Sequence, residues 1–443
     1  MIISNKRGTF FLFIGDLLVF TISLWLSLVL RDTGVYSWSS FMEHLFPFIF
    51  IFIAWTIVFF IAGLYDKYTT ILKDIIPKVI FNAQLVNSGI AIAFFYLIPY
   101  FGIAPKTILF LDLVVSFILV YTWRIYSHLI LGLKRKEPAI LVGSGEEMQR
   151  LLKEINENPR SEFKCVLSVD LDKENVTSST QSMVQKIEDS GITVVVIDLK
   201  DPRIEPVLPT LYSQIFRGVK FIDMDKVYES VFDRVPLSFL QYDWFLENIS
   251  MTHNMVYSFI KRFIDILFSI VIGIIFLIFL PFVALFIKIE DGGKIFFKQQ
   301  RVGKNNKIIE TLKFRSMSMN EKEKEKITLV GSFLRKTRID ELPQFWTLLF
   351  GDISLIGPRP ETPALVKVYE EEIPYYNIRH LIKPGLSGWA QVYQENPPKY
   401  GVDFNNTKDK LSYDLYYIKN RSIMLDLSII LKTVKELLSR KGK

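Results

Sequence analysis

Four apolar runs fill the first 131 residues, about Phe10–Leu30, Leu45–Leu64, Val79–Ile98 and Thr107–Leu131, and nothing else in the sequence restricts the fold as strongly. Each is near the ~20 residues that a helix needs to cross ~30 Å of hydrocarbon. Four transmembrane helices are therefore expected over residues 1–134. The first run holds Asp16 and is followed by three more spans instead of a small-residue cleavage site, so it reads as a span and not as a removable signal. Basic residues set the orientation. Lys6 and Arg7 precede the first run, Lys67, Lys73 and Lys78 separate the second from the third, and Lys134, Arg135 and Lys136 follow the fourth. The other loops hold only Arg31 and Lys106. By the positive-inside rule the N-terminus, the 65–78 loop and everything after residue 134 face the cytoplasm.

Composition points the same way. Of 443 residues 50% are hydrophobic and 22% charged, with 37 Phe, and the surplus lies in long charge-free stretches, which excludes a fully soluble protein. The formal charge of +7 is uneven. Residues 288–443 carry 28 Lys and Arg against 19 Asp and Glu, whereas residues 1–287 carry 25 against 27. A basic region on a membrane protein points to anionic headgroups or phosphorylated substrates. No zinc-finger or aromatic RNA-binding pattern accompanies it, so no nucleic acid is expected as a partner. The one cysteine, Cys165, rules out an internal disulfide and a Cys-rich metal site and fits a reducing compartment. Asp16, Asp112 and Arg124 sit within or near the ends of the spans; they either serve a function there or face the protein interior and the interface.

Over residues 135–257 strands alternate with helical stretches. Ala139–Gly143, Cys165–Val169, Thr193–Ile197 and Val219–Ile222 read as strands of a parallel, doubly wound sheet, a cytoplasmic Rossmann-like α/β module. Its first turn, Gly143-Ser-Gly145-Glu-Glu-Met148, is a dinucleotide fingerprint without its third glycine, because Met148 stands where a small residue lets helix and strand approach. Asp170 ends the next strand. A structural or regulatory module is the preferred reading, and nucleotide binding the other.

A fifth apolar segment, Ile266–Ile287, has 22 residues without a charge. Pro281 removes a backbone hydrogen bond inside it, and basic residues flank both ends, Lys261 and Arg262 before and Lys288 after. Either it is a fifth crossing, or both ends stay cytoplasmic and it enters and returns with a bend at Leu280–Pro281.

The remainder holds a dense series of uncommon motifs. Asp291-Gly292-Gly293 reads as a tight turn just after the apolar segment. KFRSM begins at Lys313, RIDELPQ at Arg338, GDISLIGPRP at Gly351, KPGLSGWAQV at Lys383 and YDLYY at Tyr413. A phosphoryl-transfer site needs a nucleophile, cations to neutralise developing charge and usually Mg²⁺ bound through carboxylate and phosphate oxygens. Asp340-Glu341 supplies the carboxylates. Thr337 begins a candidate capping box and Pro343 is tolerated in an early helical turn, so either register puts the pair near a helix N-terminus, where the dipole favours phosphate. Lys313, Arg315, Arg338 and Arg359 are the candidate phosphate or nucleotide cations, with Pro358 and Pro360 stiffening the Arg359 loop. Arg379, His380 and Trp389 are candidates for the nucleotide side. Two stretches keep plainer readings: Glu321–Lys326 is a solvated loop or helix face, and Ile423–Leu438 a helix that is either core or membrane-lying.

With these motifs in this order, about Ser258 to Lys435 resembles the bacterial sugar transferase family, the monotopic phosphoglycosyl transferases. The whole layout resembles its long members. The resemblance implies transmembrane helices at 1–134, a Rossmann-like module at 135–257, and at 258–443 an α-rich catalytic domain with a re-entrant membrane helix over about 259–287. It implies transfer of a sugar-1-phosphate from an NDP-sugar, often a UDP-hexose in the long members, to undecaprenyl phosphate, at the cytoplasmic face of the bacterial inner membrane. Such a step starts exopolysaccharide, capsule or O-antigen synthesis. Asp340 is implied as a covalent nucleophile, and Glu341 as a residue that holds Mg²⁺ with it or manages a proton. Lys294 stands where the family usually has Pro after Asp-Gly-Gly. Inner-membrane lipids are implied partners, and a homodimer is allowed. Two other readings compete, an NDP-sugar-modifying enzyme working from the α/β module and a membrane scaffold or sensor without activity. No residue selects the sugar.

Overall fold

The computed structural model describes residues 6–31, 38–65, 76–98, 106–132, 136–158, 161, 163–173, 176–249, 255–318, 326–395 and 401–439. The loop lysines Lys67 and Lys73, Lys134 and Arg135, and most of the Glu321–Lys326 stretch lie outside them. The chain divides into two compact units, Met1–Ser230 and Val231–Lys443.

The first unit opens with four helices, α1 (Lys6–Arg31), α2 (Trp38–Ile61), α3 (Ile76–Leu97) and α4 (Lys106–Gly132). All four are long and apolar enough to cross a membrane. Their shared core is aromatic. Phe20 of α1 meets Trp55 and Phe59 of α2, with Leu24, Leu28, Ile108 and Val120 around them. The opposite faces leave Trp25, Phe50, Phe81 and Phe110 exposed, which suits lipid and not water. The three intramembrane charges all turn inward. Asp16 pairs with Arg124 and accepts from the Tyr65 hydroxyl (2.6 Å), and Arg124 donates to the Leu64 carbonyl (2.8 Å). Asp112 accepts from Ser23 on α1 (2.5 Å). These polar ties join α1 to α4 across a medium in which an unmet polar group costs several kcal/mol, by rough estimate.

The α/β part follows, with β1 (Glu137–Gly143), α5 (Gly145–Glu157), β2 (Phe163–Asp170), α6 (Val176–Ser190), β3 (Val194–Ile197), α7 (Leu208–Tyr212), β4 (Lys220–Asp223) and α8 (Met224–Phe232), which runs across the unit boundary. The four strands are parallel in the order β2-β1-β3-β4, with Ala139 opposite Val194 and Val194 opposite Lys220. Ile140, Val142, Val195 and Ile197 are fully buried, as strands covered on both faces must be. At the fingerprint turn, the side chain of Met224 lies where a Cβ on Gly143 would sit, and Met148 is buried beneath α5. The Gly145 N–H, which a nucleotide phosphate would need, donates to Asp172 (3.2 Å). Asp172 is in turn paired with Arg203, which also grips Asp201. The chain's own carboxylate thus occupies the anion position of the turn.

In the second unit, residues 231–249, which the sequence reading assigns to the α/β module, pack into a different core. Val235, Leu240 and Trp244, the last on α9 (Tyr242–Asn248), join Tyr376, Leu415 and Tyr417. Next comes α10 (Met255–Asp291), a 37-residue helix that runs unbroken through Leu280 and Pro281 and is also apolar enough to span. Around it lie the antiparallel pair β5 (Phe296–Val302) and β6 (Ile308–Phe314), then α11 (Leu329–Thr337), α12 (Phe345–Phe350), β7 (Ser354–Ile356), α13 (Pro363–Glu372), β8 (Gly385–Ser387), α14 (Trp389–Tyr393), α15 (Phe404–Asn420) and α16 (Ile423–Ser439). The last helix buries Ile429 in the core and leaves Met424 and Leu427 exposed.

One face of α10 is fastened along its whole length. Arg262 donates to the Leu348 and Leu349 carbonyls at the end of α12 (3.0 and 2.6 Å), and Asp265 accepts from the Ser354 hydroxyl and the Leu355 N–H. Phe276 stacks on Phe314 and meets Phe345, and Val283 and Ile287 join the same core. At the far end Glu290 accepts from the first two N–H groups of α11, meeting donors that a helix start leaves unpaired. The opposite face exposes Phe259, Phe263, Ile274, Ile278, Phe282 and Phe286. With five helices of this kind, the protein is membrane-associated.

Candidate active site

The site is built where β6, a short 3-10 turn and a proline-stiffened loop held through its carbonyls converge. α11 ends at Thr337, whose hydroxyl donates back to the Phe333 carbonyl (2.9 Å). Thr337 therefore closes one helix and does not begin a capping box for the next. Arg338 follows in the left-handed region (φ 58°), a strained conformation for a side-chain-bearing residue, and turns the chain sharply into the 3-10 turn Ile339–Gln344. Asp340 and Glu341 occupy its first turn, and Pro343 stands inside it, where it donates no backbone hydrogen bond.

The two neighbouring carboxylates have opposite surroundings. Glu341 faces cations on every side: Lys313 of β6 at 3.2 Å, Arg359 at 3.1 Å and Arg338 at 3.8 Å. Burial pushes its carboxyl up, but Arg359, Lys313 and Arg338 outweigh that and hold it at about 2. Asp340 is buried too, and its Oδ1 has no hydrogen-bond partner. Burial first, and the Glu341 charge second, raise its carboxyl above the usual range. Neighbouring acids whose environments drive them apart are suited to different jobs. Glu341 is a fixed charge that gathers cations, and Asp340 a carboxylate with a free oxygen.

Arg359 is held by an unusual clamp. The loop Pro358–Glu361 has prolines at two of its four positions, so it lacks two of its four backbone donors and is fixed through its carbonyls. Pro358 accepts from the Gly385 N–H (2.9 Å), Arg359 from Arg379 (2.9 Å), Pro360 from Arg301 (2.9 Å) and Glu361 from the Val302 N–H (2.9 Å). Behind it, Arg379 is ion-paired with Asp414 (2.8 Å) and donates to the Tyr376 hydroxyl (2.5 Å), while Glu361 pairs with Lys410. A small cleft, open to solvent, lies in front of these groups, lined among others by Arg301, Thr311, Lys313, Glu341, Gln344 and Arg359.

Of the expected cations, the structure brings Lys313, Arg338 and Arg359 together around Glu341. It does not bring Arg315 or Arg379 there. Arg315 donates to the Lys294 and Met317 carbonyls (2.6 and 3.2 Å), and Gly293 leaves the room its guanidinium needs. That contact stiffens the turn at Gly292 (φ 68°) where Lys294 replaces the family's proline; the side chain of Asp291 lies outside the described residues. Arg379, His380 and Trp389 are interior residues. The sequence reading missed Arg301, Thr311, Glu361, Lys410 and Asp414. Strand alternation carries a signal for the first two, since Arg301, Thr311 and Lys313 share one face of the β5–β6 pair.

Acid should test this network. Glu341 and Glu361 are both held at about 2 by their cations, against 4.5 ordinarily. Each contributes stability that is complete above pH 4.5 and lost as the pH falls towards 2. His380 is held down to about 4 from 6.5, mainly by burial and then by Arg379, so its contribution is present above pH 6.5 and is lost as pH falls through 4. The unfolding temperature of the full chain is expected to drop across both windows, and His380→Gln to flatten only the upper one.

Cations gathered on one carboxylate, a second carboxylate with a free oxygen, and a long apolar helix fastened to the same unit describe a membrane-associated protein with a charged site suited to phosphate groups. Residues 256–440 match the family described as bacterial sugar transferase. Over 199 residues the chain is 37% identical to the exopolysaccharide production protein PSS of Rhizobium leguminosarum bv. phaseoli, covering 41% of this chain and 96% of that protein. The chain belongs to the bacterial sugar transferase family. It is also 42% identical over 202 residues to a UDP-N-acetylgalactosamine-undecaprenyl-phosphate N-acetylgalactosaminephosphotransferase of Aeromonas hydrophila, covering 44% of this chain and 47% of that protein. To a UDP-glucose:undecaprenyl-phosphate glucose-1-phosphate transferase of Klebsiella pneumoniae it is 39% identical over 191 residues, 41% of this chain and 40% of that protein. The matches to these two relatives thus span less than half of their length.

Proposed function

We propose that residues 258–443 transfer a sugar-1-phosphate from a UDP-sugar to undecaprenyl phosphate, giving undecaprenyl-diphospho-sugar and UMP. The observation that carries this reading is the Asp340–Glu341 pair, one oxygen free and buried, the other carboxylate caged by Lys313, Arg338 and Arg359 at a cation-lined cleft. The names of the Aeromonas and Klebsiella relatives support the substrate classes; they carry different sugars, so the sugar here stays unassigned.

The reaction runs in two displacements. An Asp340 oxygen attacks the sugar-bearing phosphorus, the bond from that phosphorus to the bridging oxygen breaks, and UMP leaves. An oxygen of the lipid phosphate then attacks the same phosphorus and returns the Asp340 carboxylate. Arg359 and Lys313 neutralise the diphosphate, and the carbonyl clamp spares Arg359 the cost of ordering when substrate binds. Among the described residues no group of three or more Asp, Glu, His or Cys is arranged to hold a metal ion. Mg²⁺ that arrives with a diphosphate is held by one or two carboxylates and otherwise by phosphate and water oxygens. The free Asp340 oxygen suits it, with Glu341 as the second carboxylate. Bound there, the ion would offset diphosphate charge.

Both substrates meet at the cytoplasmic surface of the inner membrane in this reading. Arg262 and Glu290, towards the two ends of α10, are fastened to the same compact unit, which supports ends that stay on one side of the membrane; the bend at Leu280–Pro281 that re-entry requires is a proposal set against a helix that continues through Pro281. Purified full-length chain mixed with UDP-sugar but no lipid acceptor is expected to release UMP in a burst equal to the enzyme concentration. Release only after undecaprenyl phosphate is added would refute the covalent order.

A further inference from the structure

The α/β part carries an exposed apolar cluster that the transferase reading leaves unused. Phe216 is 80% exposed, Tyr212 61% and Ile215 49%, on the short helical stretch 208–217. The Tyr212 and Phe216 rings meet edge to face (5.8 Å), and Arg217 and Lys220 stand beside them.

Topology locates this cluster with respect to the bilayer. All four strands are parallel, and their first residues are aligned: Thr193 N–H donates to the Pro138 carbonyl (3.3 Å) and Lys220 N–H to the Thr193 carbonyl (2.9 Å). Phe216 lies just ahead of Lys220, at the edge where β1 begins. That edge is tied to α4, because only five residues separate Gly132 from Pro138, a stretch able to reach about 20 Å. From β1 to β4 is two strand spacings, about 10 Å. The opposite edge carries Asp170, Asp172, Asp198, Asp201, Asp223 and Asp225, balanced only in part by Lys173, Lys200, Arg203 and Lys226, so it stays net acidic and is disfavoured at an anionic surface. Glu188 pairs with Arg217 at the near edge, so aromatic insertion, and not excess positive charge, is what this edge offers.

We propose that Tyr212, Ile215 and Phe216 rest in the headgroup layer of the membrane that α1–α4 cross, so that the α/β module lies against the bilayer with its acidic edge outward. Rings with an apolar body and an amphipathic neighbourhood favour that layer. The inference rests on the membrane reading of α1–α4 and is independent of the chemistry at Asp340.

The test uses the full chain with Cys165→Ser in nanodiscs containing phosphatidylglycerol. A nitroxide is placed on Phe216→Cys or, at the other edge, on the also exposed Leu199→Cys. Collision with a water-soluble nickel chelate is expected to be severalfold weaker at 216 than at 199, with oxygen collision stronger. Adding Tyr212→Glu and Ile215→Glu should bring the label at 216 back to the chelate access seen at 199. Equal chelate access at the two sites would overturn the proposal. So would shielding of 216 from both reagents with spin–spin broadening, which would mean that a second copy covers the cluster.

Discussion

Asp340→Asn is expected to abolish sugar-phosphate transfer, by about 10⁴-fold or more, while leaving the fold as stable as before or slightly more so. The two halves of this expectation come from the same surroundings. An amide oxygen cannot serve as the displacing carboxylate, so neither UMP release nor product formation survives. Yet the side chain gives the fold little: its Oδ1 meets no partner, and its charge is opposed by burial and by Glu341. A near-isosteric neutral group removes that repulsion. Glu341→Gln should behave differently, losing both activity and stability, because Lys313, Arg338 and Arg359 would then face one another without their shared counter-charge. Single-turnover UMP release and thermal unfolding, measured on the same preparations, separate the two cases. Wild-type transfer by Asp340→Asn would end the covalent reading.

What could be read from sequence followed the range of the cause. The apolar runs and the strand–helix alternation are local patterns, and the four long helices and the parallel sheet repeat them closely. Lys313, Arg338 and Arg359 stand out in the sequence because each sits in a compact motif, and all three gather around Glu341. Arg315 and Arg379 were equally prominent in sequence and went elsewhere. A guanidinium that binds backbone carbonyls and one that binds phosphate use the same donors, and only burial tells them apart. Thr337 misled for a similar reason, since a threonine can return its hydroxyl to the preceding turn as readily as it caps the next. The fastened face of α10 was hidden because the partners of its polar residues Ser269 and Asp265 lie 76 and 89 positions away, at Phe345 and Ser354. Glu361, Lys410 and Asp414 form a network whose members lie far apart in the chain, so nothing in their local sequence announced it.

That network supplies the second large effect. Asp414→Ala is expected to destabilise the second unit by roughly 3–5 kcal/mol, because it leaves Arg379 buried without a counter-charge. Lost activity in that variant alone says little, since an unfolded enzyme is also inactive. The informative variant is the pair Arg379→Met with Asp414→Leu. Replacing a buried ion pair with apolar side chains of similar size is often neutral or stabilising, so the unfolding temperature should recover most of the loss. The Arg359 carbonyl would still lack the donor that Arg379 provides, and one of the four ties on the Pro358–Glu361 loop would be gone. A displacement of about 1 Å in a charge-stabilising group can cost on the order of 100-fold in rate. Thermal unfolding near wild type with UMP release still strongly reduced would assign Arg379 and Asp414 to the positioning of Arg359. Full recovery of both would reduce them to parts of the core, and Arg359 would then owe its place to the prolines and the remaining three carbonyl contacts alone.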